Sequence, residues 1–164
     1  MNSPASAAAQ GSVHDHSFEE ILKGWIAAGL WIGIIVVEST SYLSSDNTGH
    51  ILFGIFHHLF GISPEHFHPL HVFIRKGGHF VGYAMLSFLL FRAWKATLPS
   101  IHRWALKWSA IAFFMTALVA SLDEWHQTYI PSRTGTLHDV FLDSFAALTM
   151  QVVIAWFLLR PRKS

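Results

Sequence analysis

The stretch WIAAGLWIGIIVVESTSYL, residues 25–43, decides the fold. Thirteen uncharged residues, Trp25 to Val37, precede a single carboxylate at Glu38, and neutral polar groups follow it. A helix needs roughly 20 such residues to cross about 30 Å of hydrocarbon. A surface helix in water carries a charged stripe along its length. This one carries none, so it reads as a membrane span.

Working outward, apolar runs recur at Phe80–Phe91, Trp104–Leu122 and Ser144–Leu159. The second and fourth runs are short and are expected to extend into their polar flanks, with Lys76 and Lys95 snorkelling from either end of the second. Trp25, Trp94, Trp104, Trp108 and Trp156 lie near the expected span ends, as interfacial anchors do. Composition agrees. Charged residues are 13% of the chain, half the usual soluble share of about 25%. Mean hydropathy is +0.38. Too few charges remain to coat a water-soluble helical bundle. A net charge of +1 gives no basic surface for nucleic acid, and the lack of cysteine excludes disulfides and thiolate metal sites.

The expected fold is therefore all-α, an integral membrane bundle of four transmembrane helices. Residues 1–20 read as a disordered tail, small and polar without a basic n-region, so the first span is an uncleaved anchor. With four spans, the tail, the second loop and the C-terminus share one side. Lys23, Arg92, Lys95, Arg103, Lys107, Arg160, Arg162 and Lys163 lie there, against Arg75, Lys76 and Arg133 on the other. The positive-inside rule then places both termini in the cytoplasm. The first loop, 44–75, holds HILFGIFHHLFG, in which Ile51, Leu52, Ile55, Phe56, Leu59 and Phe60 form one apolar helical face. At twelve residues it is too short to span, so an interfacial or re-entrant helix is expected.

This topology gathers ionisable residues at the outer end. The first helix ends in Glu38-Ser39-Thr40-Ser41-Tyr42, and Arg75-Lys76-Gly77-Gly78-His79 opens the second. The third ends in Asp123-Glu124-Trp125-His126-Gln127, and Pro131-Ser132-Arg133 leads to His138, Asp139 and Asp143 in the fourth. Lys76, His79 and Tyr83 share a helical face, as do Asp123 with Gln127 and Asp139 with Asp143. Taken singly, Arg75, Glu65, His126 and His138 read as solvated end charges. Glu38, His79, Asp123, Glu124, Arg133 and Asp139 taken together read as a site, because ionisable groups near hydrocarbon are costly and mark function.

Three blocks, Lys76–Tyr83 (KGGHFVGY), Ser121–Gln127 (SLDEWHQ) and Pro131-Ser132-Arg133 with Asp139, together resemble the VanZ-like membrane proteins. The resemblance covers residues 25–159. It implies a four-span bacterial inner-membrane protein, with a VanZ-like domain over 21–160 and a basic cytoplasmic tail at 161–164. It carries a name attached to glycopeptide (teicoplanin) resistance and no settled reaction. The family often has an Asn and a Gly-rich stretch in the fourth helix, where Asp143-Ser144-Phe145-Ala146-Ala147 stands here.

The expected function is binding of an anionic lipid or polyprenyl-linked envelope intermediate in the outward pocket. Lys76, Tyr83, Gln127, Arg133 and Asp139 would contact the ligand. The alternative is a lipid-phosphate phosphatase or phosphotransferase. There His79 would be nucleophile or acid/base, Lys76 and Arg133 phosphate clamps, and Asp123 or Glu124 the carboxylate orienting His79, with Glu38 a further catalytic carboxylate. A third reading is a scaffold fixed by pairs such as Lys76–Asp123. Of the 12 His, His57, His58, His66, His68 and His71 lie in the first loop without a metal-ligand motif. Mg²⁺ held by Asp123, Glu124 or Asp139 with a substrate phosphate is the cofactor this set could take. Gly29 and Gly33 form a small-x-x-x-Gly pair of the kind that packs helices or joins a homodimer.

Overall fold

The computed structural model describes residues 4–40, 45–98, 104–131, 133 and 135–160, with side chains from 18 and, after the first break, from 49. Ser41, Tyr42, Arg103, Ser132 and the 161–164 tail lie outside the described residues. All described regular structure is helical, in the order α1 (Pro4–Glu38), α2 (Ser45–Phe60), α3 (Pro64–Thr97), α4 (Leu106–Gln127) and α5 (Leu137–Leu159). Helix α1 runs back through the stretch whose composition reads as tail, as far as Pro4.

Among the described residues, three helices are long and apolar enough to cross a membrane: Phe18–Glu38 of α1, α4 and α5. Their apolar windows are only 17%, 28% and 28% buried, so most of their hydrocarbon faces outward. Leu30, Val37, Phe114, Leu118, Phe141, Phe145 and Val152 are among the large apolar side chains exposed. Water-soluble monomers do not present contiguous apolar surface on this scale; lipid covers it without cost. The sequence led us to expect four such helices. The remaining run, Phe80–Phe91, lies inside the 34-residue α3 and does not reach the same apolar standard. The reason is its position. Helix α3 packs against α1, α4 and α5, and it turns Tyr83, Ala84, Leu86, Ser87, Leu90, Phe91 and Ala93 into the bundle. Polar groups are tolerated there because neighbouring helices satisfy them.

The α3–α5 seam shows how. Ala146 and Ala147 are fully buried, which lets the backbones approach. Gln151 Nε2 donates to the Ser87 carbonyl (3.0 Å) and Ser87 Oγ (2.8 Å), while Ser87 Oγ donates to the Ala147 carbonyl (3.2 Å). Interhelical hydrogen bonds in membranes contribute about 0.6 kcal/mol each on average. Gln151→Ala is therefore expected to lower stability by about 1 kcal/mol; an unchanged midpoint for thermal unfolding in detergent would refute this. Helices α1 and α3 meet as closely at Gly24, where an added Cβ would sit 3.1 Å from Ala93 Cα. Gly29 and Gly33 meet nothing within 4 Å.

Two expectations change. Trp25, Trp94, Trp104, Trp108 and Trp156 gather at one end of the bundle, with Trp125 at the other, and four of those five act as interhelical or loop ties. Trp25 donates to Thr97 Oγ1 (2.9 Å), Trp94 to Met115 Sδ (3.1 Å), Trp104 to Ser109 Oγ (2.8 Å) and Trp108 to the Leu98 carbonyl (2.7 Å). Buried indole N–H groups need such partners. Trp156 is the outlying one, half exposed beneath the Arg160 guanidinium.

The short helix expected within the 44–75 loop is present as α2, whereas residues 64–75, read as loop, are the first third of α3. Gly61 joins them at φ +65°, its N–H bonded to the His57 carbonyl, and Ser63-Pro64 starts α3. A glycine in the left-handed region after a helix and a proline at the first helical position are the standard punctuation. The apolar face of α2 is split. Phe53 and Phe56 pack on Phe67 of α3, at ring separations of 5.2 and 6.1 Å. Ile51, Ile55 and Leu59 stay exposed.

Candidate functional site

At the end of the bundle opposite Trp25, Trp94, Trp104 and Trp108, the segments α1, α3, α4 and α5 bring their polar residues together. Helix α1 contributes Glu38 and Ser39, α3 contributes Arg75, His79 and Tyr83, and α4 contributes Asp123, Glu124 and Gln127. Asp139 and Asp143 come from α5, and Arg133 from the loop before it.

The start of α5 is built with care. Thr136 is its N-cap: Oγ1 accepts from the Asp139 N–H (3.2 Å) and donates to Asp139 Oδ2 (2.9 Å). The Thr136 N–H in turn donates to Glu124 Oε2 at 2.9 Å. Glu124 thus fastens the α4–α5 loop, and it is only 4% exposed. Arg133 fastens the same loop to α1: Nη2 donates to the carbonyls of Glu38 and Thr40, the latter at 3.1 Å. Burial pushes the Arg133 guanidinium below its ordinary value. Arg75 adds to this by repulsion, and Asp123, Glu124 and Glu38 oppose it.

Two further carboxylates belong to this end. Asp123 Oδ2 accepts from Tyr83 Oη and Gln127 Nε2, both at 3.0 Å, which ties α3 to α4. Asp143 is fully buried, and neither of its oxygens has a hydrogen-bond partner. His79 Nδ1 lies 3.8 Å from Asp143 Oδ2, an ion-pair distance beyond hydrogen-bond reach. Donor atoms of His79, Glu124 and Asp143 all fall within 4.8 Å of one another.

The cavities follow from this placement. A chamber of about 20 Å³ is lined by Glu38, Ser39, His79, Tyr83, Asp123 and Gln127. It opens beside a vestibule of about 240 Å³, which shares Glu38, Gly78 and His79 and adds His71, Arg75 and Arg133. On the other side, an apolar groove of about 310 Å³ shares Ile35, Ser39 and Asp123 and adds Ile32, Val36, Val119, Leu122 and His126. A separate, mainly apolar cavity near the tryptophan end, with Glu20, Arg92 and Lys95 on it, has no part in this arrangement.

Of the residues singled out from sequence, Glu38, His79, Tyr83, Asp123, Gln127 and Arg133 line these cavities. Glu124 stands behind His79. Lys76 and Asp139 do not line them: Lys76 Nζ pairs with Asp139 Oδ1 at 3.3 Å on a solvent-accessible rim. The pairing Lys76–Asp123 is therefore replaced by Lys76–Asp139. The carboxylate at ion-pair distance from His79 is Asp143, rather than Asp123 or Glu124. Arg75, read singly as a solvated end charge, is half-buried in the vestibule wall. Its signal was present in the sequence: Arg75, Gly78 and His79 lie at i, i+3 and i+4.

No curated protein and no solved structure matches the chain. A family profile does. The profile described as VanZ/LLP1 matches residues 24–159, a range that contains every residue of the polar end and all of α3, α4 and α5, and the chain belongs to that family.

Proposed function

We propose that the protein is a multi-pass protein of the bacterial cytoplasmic membrane that binds an anionic lipid, either a phospholipid or a polyprenyl-linked envelope intermediate, at its extracytoplasmic face. In this reading α3 is the fourth span and both termini are cytoplasmic, which the eight-to-three bias of Lys and Arg supports. The link to glycopeptide resistance rests on the family's name alone.

One observation carries the lipid reading: an apolar groove and a cationic vestibule meet at a shared polar chamber. An amphiphile has the same order of parts. Its acyl or prenyl chain fits the groove beside Val119 and Leu122, and its phosphate fits beside Arg75 and Arg133, where guanidinium forks suit phosphate oxygens. Arg133 is already engaged with backbone carbonyls, so Arg75 is the cation that discriminates. Arg75→Ala is expected to weaken binding of phosphatidylglycerol about tenfold, in nanodiscs of graded lipid content, and to leave phosphatidylcholine binding unchanged. Equal affinity of both proteins for both lipids would defeat the proposal. Topology is tested separately. The chain has no cysteine, so Pro131→Cys gives a single label site; in intact spheroplasts a membrane-impermeant maleimide should reach it. Labelling only after permeabilisation would reverse the orientation.

The His79–Asp143 pair favours a second reading, hydrolysis of the bound lipid phosphate. Water would add to phosphorus as the bond to the lipid alcohol breaks, and His79 would carry the proton from the water to that alcohol. Inorganic phosphate released by the purified protein, and lost in His79→Ala, would select this reading over binding alone.

A further inference from the structure

We propose that His79, Glu124 and Asp143 form a divalent metal site, suited to Zn²⁺ with three protein ligands and one open position. Asp143 carries the argument. Its side chain is fully buried, both oxygens lack hydrogen-bond partners, and it sits beside a second buried carboxylate, Glu124. Two like charges taken out of water are expensive unless something compensates them. Of the nearby cations, Lys76 pairs with Asp139 at the rim and Arg133 donates to the Glu38 and Thr40 carbonyls, while Arg75 lines the vestibule, a cavity that neither buried carboxylate lines. A dication among the three residues neutralises both carboxylates at once.

The geometry is close to that required. Zinc bonds of about 2.0–2.1 Å in a tetrahedron place donor atoms roughly 3.4 Å apart. His79 Nδ1 and Asp143 Oδ2 are 3.8 Å apart, and all three donors lie within 4.8 Å. Small side-chain rotations close the set. One imidazole with two carboxylates is the donor mix of open zinc sites that retain a water or substrate position. Glu124 is also oriented from outside the set, because the Thr136 N–H holds its Oε2; such support is usual behind metal ligands. His79 borders the chamber of about 20 Å³, room for about one water.

The site does not depend on the lipid reading, because metal content is measured without lipid. Full-length protein purified in detergent, stripped with chelator, loaded with Zn²⁺ and desalted should retain one zinc per chain by mass spectrometry. Its unfolding temperature should rise on loading and fall again with EDTA. Glu124→Gln and Asp143→Asn should each lose the retained zinc, whereas a variant with His57, His58, His66 and His68 all changed to Ala should keep it. Zinc retained by both carboxylate variants, or lost only with the four exposed histidines, would overturn the proposal. Should the carboxylate variants fail to fold, X-ray absorption on wild type decides: one imidazole with oxygen donors is expected, and a multi-histidine shell would overturn it. No retained zinc in wild type would also do so.

Discussion

Gly135→Ala is expected to prevent accumulation of folded protein, or to lower its stability by about 3 kcal/mol or more. A Cβ at this position would clash with the Glu124 carbonyl oxygen and lie 2.9 Å from Thr128 Cγ2 and 3.1 Å from the Thr128 nitrogen. The first contact is with backbone in the last turn of α4, which has no rotamer to yield. Forcing a methyl group into packed structure costs about 1–3 kcal/mol even where side chains can adjust. Here relief requires moving the loop that sets Thr136 as N-cap of α5, breaking the Thr136–Glu124 hydrogen bond and unseating Arg133 from α1. A domain stable by about 5–15 kcal/mol has little room for that sum. Gly33→Ala is the control, since nothing lies within 4 Å of its Cβ and alanine is the better helix former by about 1 kcal/mol. Fluorescence-detected size exclusion and thermal unfolding should show a monodisperse Gly33→Ala protein and an aggregated or much less stable Gly135→Ala protein. A Gly135→Ala midpoint equal to wild type would show that the loop is not packed as described.

Much of this architecture was legible in the sequence because bilayer thickness leaves few choices. An apolar run near 20 residues is a helix, and successive helices of an up-and-down bundle alternate direction, so Glu38, His79, Asp123 and Asp139 were expected at one end. What the sequence did not reveal depends on how each helix is rotated about its axis. Lys76 could reach Asp123 or Asp139 by depth alone; rotation of α3 and α5 selects Asp139. Asp143 lay one turn past Asp139 on the same face, yet nothing in the chain distinguished a buried carboxylate from a second rim charge. The tryptophans were placed at the correct end for an incomplete reason, since their hydrogen bonds run to Thr97, Met115, Ser109 and Leu98 across helix boundaries. Helix α3 was the hardest to grade, because a helix buried by its neighbours can carry His79, Tyr83 and Ser87 at the expense of hydropathy. Gly135 was illegible because the close approach it permits is set by the α4–α5 turn.

Asp143→Leu is expected to stabilise the metal-stripped protein while removing its function. The scaffold reading requires that the polar cluster hold the helices in register, and it therefore predicts a loss when a member becomes apolar. The geometry argues the reverse for this residue. Asp143 makes no hydrogen bond with either oxygen, and its contact with His79, at 3.8 Å, is too long to offset the desolvation of a carboxylate with no exposed surface. Replacing buried ionic groups by apolar residues of similar size commonly raises stability by about 1–4 kcal/mol. Asp123 differs, because Tyr83 and Gln127 both donate to it. Asp123→Leu leaves those two donors without their acceptor and should cost about 1–3 kcal/mol. The two substitutions are chemically identical and lie at one end of the same bundle, so opposite signs in their unfolding midpoints, measured in chelator and the same detergent, separate a carboxylate kept for what it binds from one kept for what it holds. Destabilisation by both would return the cluster to a structural role. Functional sites are where proteins retain groups that reduce their stability, so opposite signs would support the proposed site, with Asp143 at its centre and His79 and Glu124 beside it.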